Sequence, residues 1–201
     1  MSFNLFLGMK QFTSIFLLIL IFASCKSGKK KDEESKKTIT PVLSFIEGQV
    51  AQIDTSLFSL KKIEILDSLH SDTVDISRTD FRSLAKDFLS IPGISLKKYK
   101  EQYEETKNYD PDLQVISFLT LPIGTASTDI QKQEVIITPD GKNIKTIYID
   151  KGWANKDSSV SKKMIWQVDE YFQVLTLKQL PGQPETSHIL KVTWKDYTKP
   201  E

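Results

Sequence analysis

The stretch "SKKMIWQVDEYFQVLTLKQL", residues 161–180, decides the fold class. Apolar residues recur at every second position on either side of a short polar break. Met164, Trp166 and Val168 precede the break, and Phe172 and Val174 follow it. Side chains of a strand alternate between faces, so this period of two predicts strands rather than helix. The break allows only a tight connection, which makes the two strands antiparallel neighbours.

Working outward, the same pattern repeats in both directions. After the Pro181-Gly182-Gln183-Pro184 loop, "TSHILKVTWKD" predicts a strand with His188, Leu190, Val192 and Trp194 on one face. Upstream, "QEVIITPDGKNIKTIYID" (133–150) predicts a hairpin, with Pro139-Asp140-Gly141 supplying the turn. "LQVISFLTL" (113–121) predicts a further strand, and "NYDPD" (108–112) a turn before it. "KKYKEQYEE" (97–105) reads as either a polar edge strand or a solvated helix. Five or six successive strands with short links and no helix between them predict an antiparallel meander. Ile165, Leu175 and Leu177 lie on the second face of their strands. Such a sheet needs cover on both faces or curls around a core. The face left by the helices closes on itself, faces a ligand, or meets a membrane or a partner.

Nearer the N-terminus the period lengthens. In "TPVLSFIEGQVAQID" (40–54), Val42, Phe45, Ile46, Val50 and Ile53 recur at helical spacing, with Thr40 as the expected cap and Pro41 in the first turn. "LFSLKKIEILDSLHSDTVDIS" (57–77) predicts a hairpin. There Ile63 and Ile65 alternate with charged residues, and "HSDT" is the expected turn. "SRTDFRSLAKDFLSIPG" (77–93) carries the strongest helix signal. Ser77 and Asp80 form a capping-box pair, Phe81, Leu84, Ala85, Phe88 and Leu89 make one apolar face, and Pro92-Gly93 ends it. The expected fold is therefore α+β: an antiparallel, curved meander with two helices packed on it.

The first 37 residues read differently. Residues Ile15–Phe22 are uninterrupted apolar residues, and the segment from Gln11 to Ser24 is about 14 residues, short of the roughly 20 that a spanning helix needs. The length fits the apolar region of a secretory signal with Lys10 ahead of it. The chain's only cysteine, Cys25, follows at once. "KSGKKKDEESKK" (26–37) then has no apolar residue and is expected to serve as a solvated tether. From Thr38 onward there are 20 basic and 23 acidic residues, a balance that makes no case for nucleic acid.

The order Phe22-Ala23-Ser24-Cys25 resembles the lipobox of bacterial lipoproteins. That resemblance implies cleavage before Cys25, diacylation of its sulfur with chains such as palmitate, and acylation of the new amino group. Stable anchoring takes two chains or more, at roughly 0.8 kcal/mol per buried methylene. The expected organisation is a lipoprotein signal peptide over 1–24, a lipidated cysteine and charged tether over 25–38, and a single α+β domain over 39–201. The signal, the lysine-rich spacer and the late strands ending in "VTW" resemble lipoproteins of the Bacteroidota to which no activity is assigned. Lys31-Asp32-Glu33-Glu34 has a likeness to their surface-export signals, but the reading favoured here is a solvated spacer. The order helix, hairpin, helix, meander is similar to cystatin-like and NTF2-like folds, which implies a bent sheet and no function.

Catalytic patterns are sparse. The two histidines, His70 and His188, lie about 118 residues apart and the one cysteine is the expected lipid site, so no metal or other cofactor is expected. There is no G-x-S-x-G and no glycine-rich phosphate loop. Trp166 and Trp194 either fill the core or stack a sugar or line an apolar pocket, with His188 beside them as a partly buried histidine or a base. The expectation is a monomeric, non-catalytic binding or scaffolding domain. Its membrane contact would be the N-terminal lipid, its location the outer membrane with the periplasmic or the cell-surface side open. Its partner would be a protein or an apolar ligand. The alternatives are a carrier or sensor of a small apolar ligand and, behind it, an NTF2-like enzyme.

Overall fold

A computed structural model describes residues 38–67, 70–99, 101–124 and 128–194. The chain forms α1 (Val42–Thr55), β1 (Lys61–Asp67), β2 (His70–Asp75), α2 (Arg78–Leu84), α3 (Lys86–Leu89), a 3-10 turn (Lys97–Tyr99), β3 (Tyr103–Asp110), β4 (Val115–Pro122), β5 (Ile130–Ile137), β6 (Ile144–Ala154), β7 (Ser159–Gln167), β8 (Tyr171–Gln179) and β9 (Thr186–Thr193). All strands join one open, curved antiparallel sheet in the order β2-β1-β9-β8-β7-β6-β5-β4-β3. The meander from β3 to β9 thus has seven strands rather than five or six, and the early hairpin extends it by pairing β1 with β9. The α+β class read from the alternating strands is the class observed.

Register shows how the sequence builds two unlike faces. One row runs Lys62, Val192, Phe172, Trp166, Ile147, Val135, Phe118, Lys107 across eight strands. Its five central residues, Val192 to Val135, are all buried. The next row on that face runs Glu64, Leu190, Val174, Met164, Ile149, Gln133, Thr120, Glu105. The helices cover these rows. Phe81 of α2 meets Phe172 and Trp194 at ring distances of 5.7 and 5.4 Å, and Phe88 of α3 meets Trp166 and Phe172 at 5.2 and 5.5 Å. Val42, Ile46, Val50 and Ile53 of α1 complete the same core.

Several local readings need correction. Thr40 does not cap α1: Pro41 holds the cap position, and no side chain closes it. The Thr40 backbone N–H donates instead to Glu105 Oε2 at 2.9 Å, and its hydroxyl donates to Glu105 Oε1 at 3.2 Å. Thr120 also donates to Glu105, at 3.0 Å. The polar end of the second row is therefore the dock for the chain's entry into the domain. The "HSDT" turn is strand: Ser71, Asp72 and Thr73 pair with Ile65, Glu64 and Ile63. Asn108, Tyr109 and Asp110 belong to β3, and the turn begins at Pro111. Lys97–Tyr99 is a 3-10 turn, while Tyr103 onward is an edge strand, so the ambiguous segment divides between both kinds of structure.

The second helix forms as the capping box predicts. Ser77 Oγ accepts from Asp80 N, and Asp80 accepts from Ser77 N. The apolar face then breaks in two at Ala85, giving three helices in place of two. The β7–β8 turn places Asp169 at φ 62°, a left-handed conformation that aspartate tolerates better than most residues. Gly141, at φ 76°, does the same in the β5–β6 turn.

Candidate functional site

Cys25 lies outside the described residues. The other residues singled out from sequence do not form one site. Trp166 and Trp194 are 0% and 1% exposed, with ring centroids 5.2 Å apart. Trp166 also stacks on Phe172 at 5.5 Å. Both rings are enclosed by α2, α3 and the sheet, so packing and not ligand stacking occupies them. Among the described residues, no polar group hydrogen-bonds the buried Trp166 indole N–H. His188 stands two rows away, on β9. Its Nε2 is 3.7 Å from Glu64 Oε1 on β1, and both side chains are about one third exposed. Of the proposed trio, only the two tryptophans come together.

The broad surface that remains is the opposite sheet face, where the sequence placed Ile165, Leu175 and Leu177; what the sequence reading missed is the charged patch on it. No described helix lies on it. Its central row runs Ile63, Lys191, Gln173, Ile165, Tyr148, Glu134, Leu119, Thr106. A neighbouring row runs Ile65, Ile189, Leu175, Lys163, Asp150, Lys132. Ile63, Ile65, Ile189 and Leu175 make an apolar band at the β1 side, all half-buried. A charged patch follows on β5–β7. Nine strands, with eight spacings of about 4.8 Å, make this face roughly 38 Å wide along the sheet.

The patch is a shallow depression of about 250 Å³ lined by Lys132, Glu134, Tyr148, Asp150, Lys163 and Ile165. Lys132 Nζ lies 2.8 Å from Glu134 Oε2. That hydrogen bond is the main reason the Lys132 ammonium is held above its ordinary range, with Glu134 and Asp150 charge adding to it against the opposing effect of burial. Two cations face two carboxylates here, so the charge is internally balanced. At the band's upper edge Lys191 Nζ sits 4.1 Å over the Tyr171 ring. Burial, then the neighbouring Tyr148 and Glu170, push the Tyr171 phenol up. The available signal was the second parity of each strand: "QKQE", "IYID" and "SKKMI" place their charges opposite the core residues.

Chemically, this face offers apolar contact beside paired charges. Among the described residues, no group of three or more His, Cys, Asp or Glu could hold a metal ion. No described helix is long and apolar enough to cross a membrane. No family model matches the chain, and comparison with curated proteins and with solved structures returned no match.

Proposed function

We propose that this protein is a lipid-anchored module of the bacterial cell envelope that binds or scaffolds through its surface rather than through an internal pocket. The observation that carries the binding part is the filled interior. Phe81, Phe88, Phe172, Trp166 and Trp194 occupy the space between helices and sheet, and all are 1% exposed or less. What remains for recognition is the uncovered face, where a half-buried apolar band lies beside balanced charges. That composition suits a protein surface better than a nucleic acid, which demands a basic field. Support for the anchor is the sequence order Phe22-Ala23-Ser24-Cys25. Two or three acyl chains on one cysteine suffice for firm membrane attachment.

The test of the anchor is metabolic labelling. Cells fed an alkyne fatty acid should label the wild-type chain and leave Cys25→Ser unlabelled, and the mutant should leave the membrane fraction. An equally labelled, equally sedimenting mutant ends the anchoring reading. For the surface, a photo-crosslinker at Leu175 on the uncovered face should trap envelope protein, whereas one at exposed Lys86 on α3 should not. Identical adducts at both positions would remove the case for that face.

A further inference from the structure

We infer that one corner of the domain, where the chain enters the fold, rests on the phospholipid surface. This inference builds on the anchoring reading and adds an orientation to it. The antiparallel register puts the start of β3, the end of β4, the start of β5 and the end of β6 at one end of the sheet. Four large apolar side chains stand exposed there. Leu96 is 56% exposed, Leu121 43%, Ile123 40% and Trp153 46%. Leu121 lies on the uncovered face and Ile123 follows it, tied to the start of β3 by its N–H to the Gln102 carbonyl at 2.8 Å. Trp153 shares the parity of buried Ile147 and Ile149, on the helix-covered face. The exposed groups thus bracket the end of the sheet from both sides.

The occupant follows from where the preceding chain leads. Thr40 is fixed to Glu105, two residues from the start of β3, and Gln133 reaches the Thr40 carbonyl. Leu43 in the first turn of α1 lies on the same side as Leu96, both close to Gly93. So the entry point and the apolar corner coincide. Twelve residues separate Cys25 from Thr38, which spans no more than about 45 Å at full extension. A lipid at Cys25 holds this corner at high local concentration near the bilayer, so a weak apolar contact is enough to orient the domain. Leu66 is exposed at the corner's own end of the sheet but stands apart on β1. Among the described residues, the opposite end of the sheet lacks such a cluster. Its exposed residues divide between Leu57 and Val74 on the β1–β2 side and Tyr109 and Leu113 at the β3–β4 tip, far across the sheet.

Indole rings favour the headgroup level, where an apolar body and a polar N–H are both accommodated. Charge does not drive the contact. Lys97 and Lys98 follow Leu96, and Lys151 opposite Ile130 shares the corner with Glu101 and Asp129, so both signs are present, and phosphatidylcholine carries no net charge to attract either. The docking should accordingly be insensitive to salt.

The experiment uses the full chain, purified from membranes and reconstituted into phosphatidylcholine vesicles with or without bromine on the acyl chains. Emission of Trp153 is obtained by subtracting the Trp153→Phe variant, since Trp166 and Trp194 are shielded in the core. The expected result is a blue-shifted Trp153 emission that brominated lipid extinguishes at low and high salt, and that Leu121→Ser with Ile123→Ser restores. Flotation with the vesicles while Trp153 emission ignores bromine would overturn the inference. So would quenching of a probe at the far end, Leu113→Trp in the Trp153→Phe chain, in place of Trp153. A chain that fails to float and whose Cys25 reacts with maleimide would overturn the anchor instead. Coupling that same thiol to a maleimide lipid then supplies the tether, and the quenching still decides the orientation.

Discussion

Replacing Phe88 by alanine should remove the keystone of the aromatic core. Phe88 is 0% exposed and meets Trp166 edge-on at 5.2 Å and Phe172 at 5.5 Å. Truncation of a fully buried phenylalanine costs about 3–5 kcal/mol, from lost transfer energy and the cavity left behind. The two ring contacts account for about 0.5–1.5 kcal/mol each of that loss. Trp166 and Phe172 are held by the sheet on one side and by Phe81 and Trp194 on others, so collapse into the space is restricted and the upper half of the range applies. With a urea slope of about 2 kcal/mol/M, that upper half lowers the midpoint by roughly 2–2.5 M. That is a large part of the 5–15 kcal/mol stability typical of a domain. Lys86, on the exposed side of the same helix, supplies the control: Lys86→Ala should change stability by less than about 0.5 kcal/mol. Urea melts followed by circular dichroism read both. Equal and small shifts would refute the assignment of α3 as structural cover.

Two further outcomes follow from the same contacts. Lys162 Nζ on β7 bonds both oxygens of Asp87 on α3, at 2.6 and 2.7 Å, with side chains 18% and 30% exposed. Asp87→Ala should cost about 1–2 kcal/mol, between the exposed and the buried limits for ion pairs, and adding Lys162→Met should recover part of it in a double-mutant cycle. At the capping box, the Ser77 hydroxyl and then its backbone N–H hold the Asp80 carboxyl below its ordinary value of 3.8. A depressed carboxyl stabilises the fold above the unfolded value, and that stability is lost as pH falls through the lower folded value. The stability gap between wild type and Ser77→Ala, about 0.5–2 kcal/mol at neutral pH, should therefore narrow in melts carried below pH 3.8.

The strands were legible where one face is buried and the other wet, because burial imposes the period of two on the residues themselves. Met164, Trp166, Phe172, Val174 and Val192 were placed on their faces by parity alone, and all five are core. Ser77 and Asp80 were equally readable, since a capping box is closed within four residues. Readings failed where a partner distant in sequence competes for a local group. Thr40 has the chemistry of a helix cap, but Glu105, 65 positions away, takes its hydroxyl. His70–Thr73 and Asn108–Asp110 have turn-like composition, yet they lie on the two edge strands, where Ser71, Asp72, Thr73, Asn108 and Tyr109 are exposed and polar residues protect an open edge. The site was less legible still. Trp166 and Trp194 carry the same signature as ligand-stacking residues, and only the positions of α2 and α3 reveal that their faces are taken. The charged depression needed the register of β5, β6 and β7 before Lys132, Glu134, Asp150 and Lys163 could be seen as neighbours.

The central claim, that recognition belongs to the surface because the interior is full, is tested most directly by titrating the protein with N-phenylnaphthylamine. In the Trp153→Phe chain only Trp166 and Trp194 can transfer energy to the probe. The filled core predicts no saturable transfer and no displacement by fatty acids. One-to-one saturable transfer, reversed by a competing fatty acid, would mean that a defined site within range of the two tryptophans holds an apolar ligand, and would contradict the account.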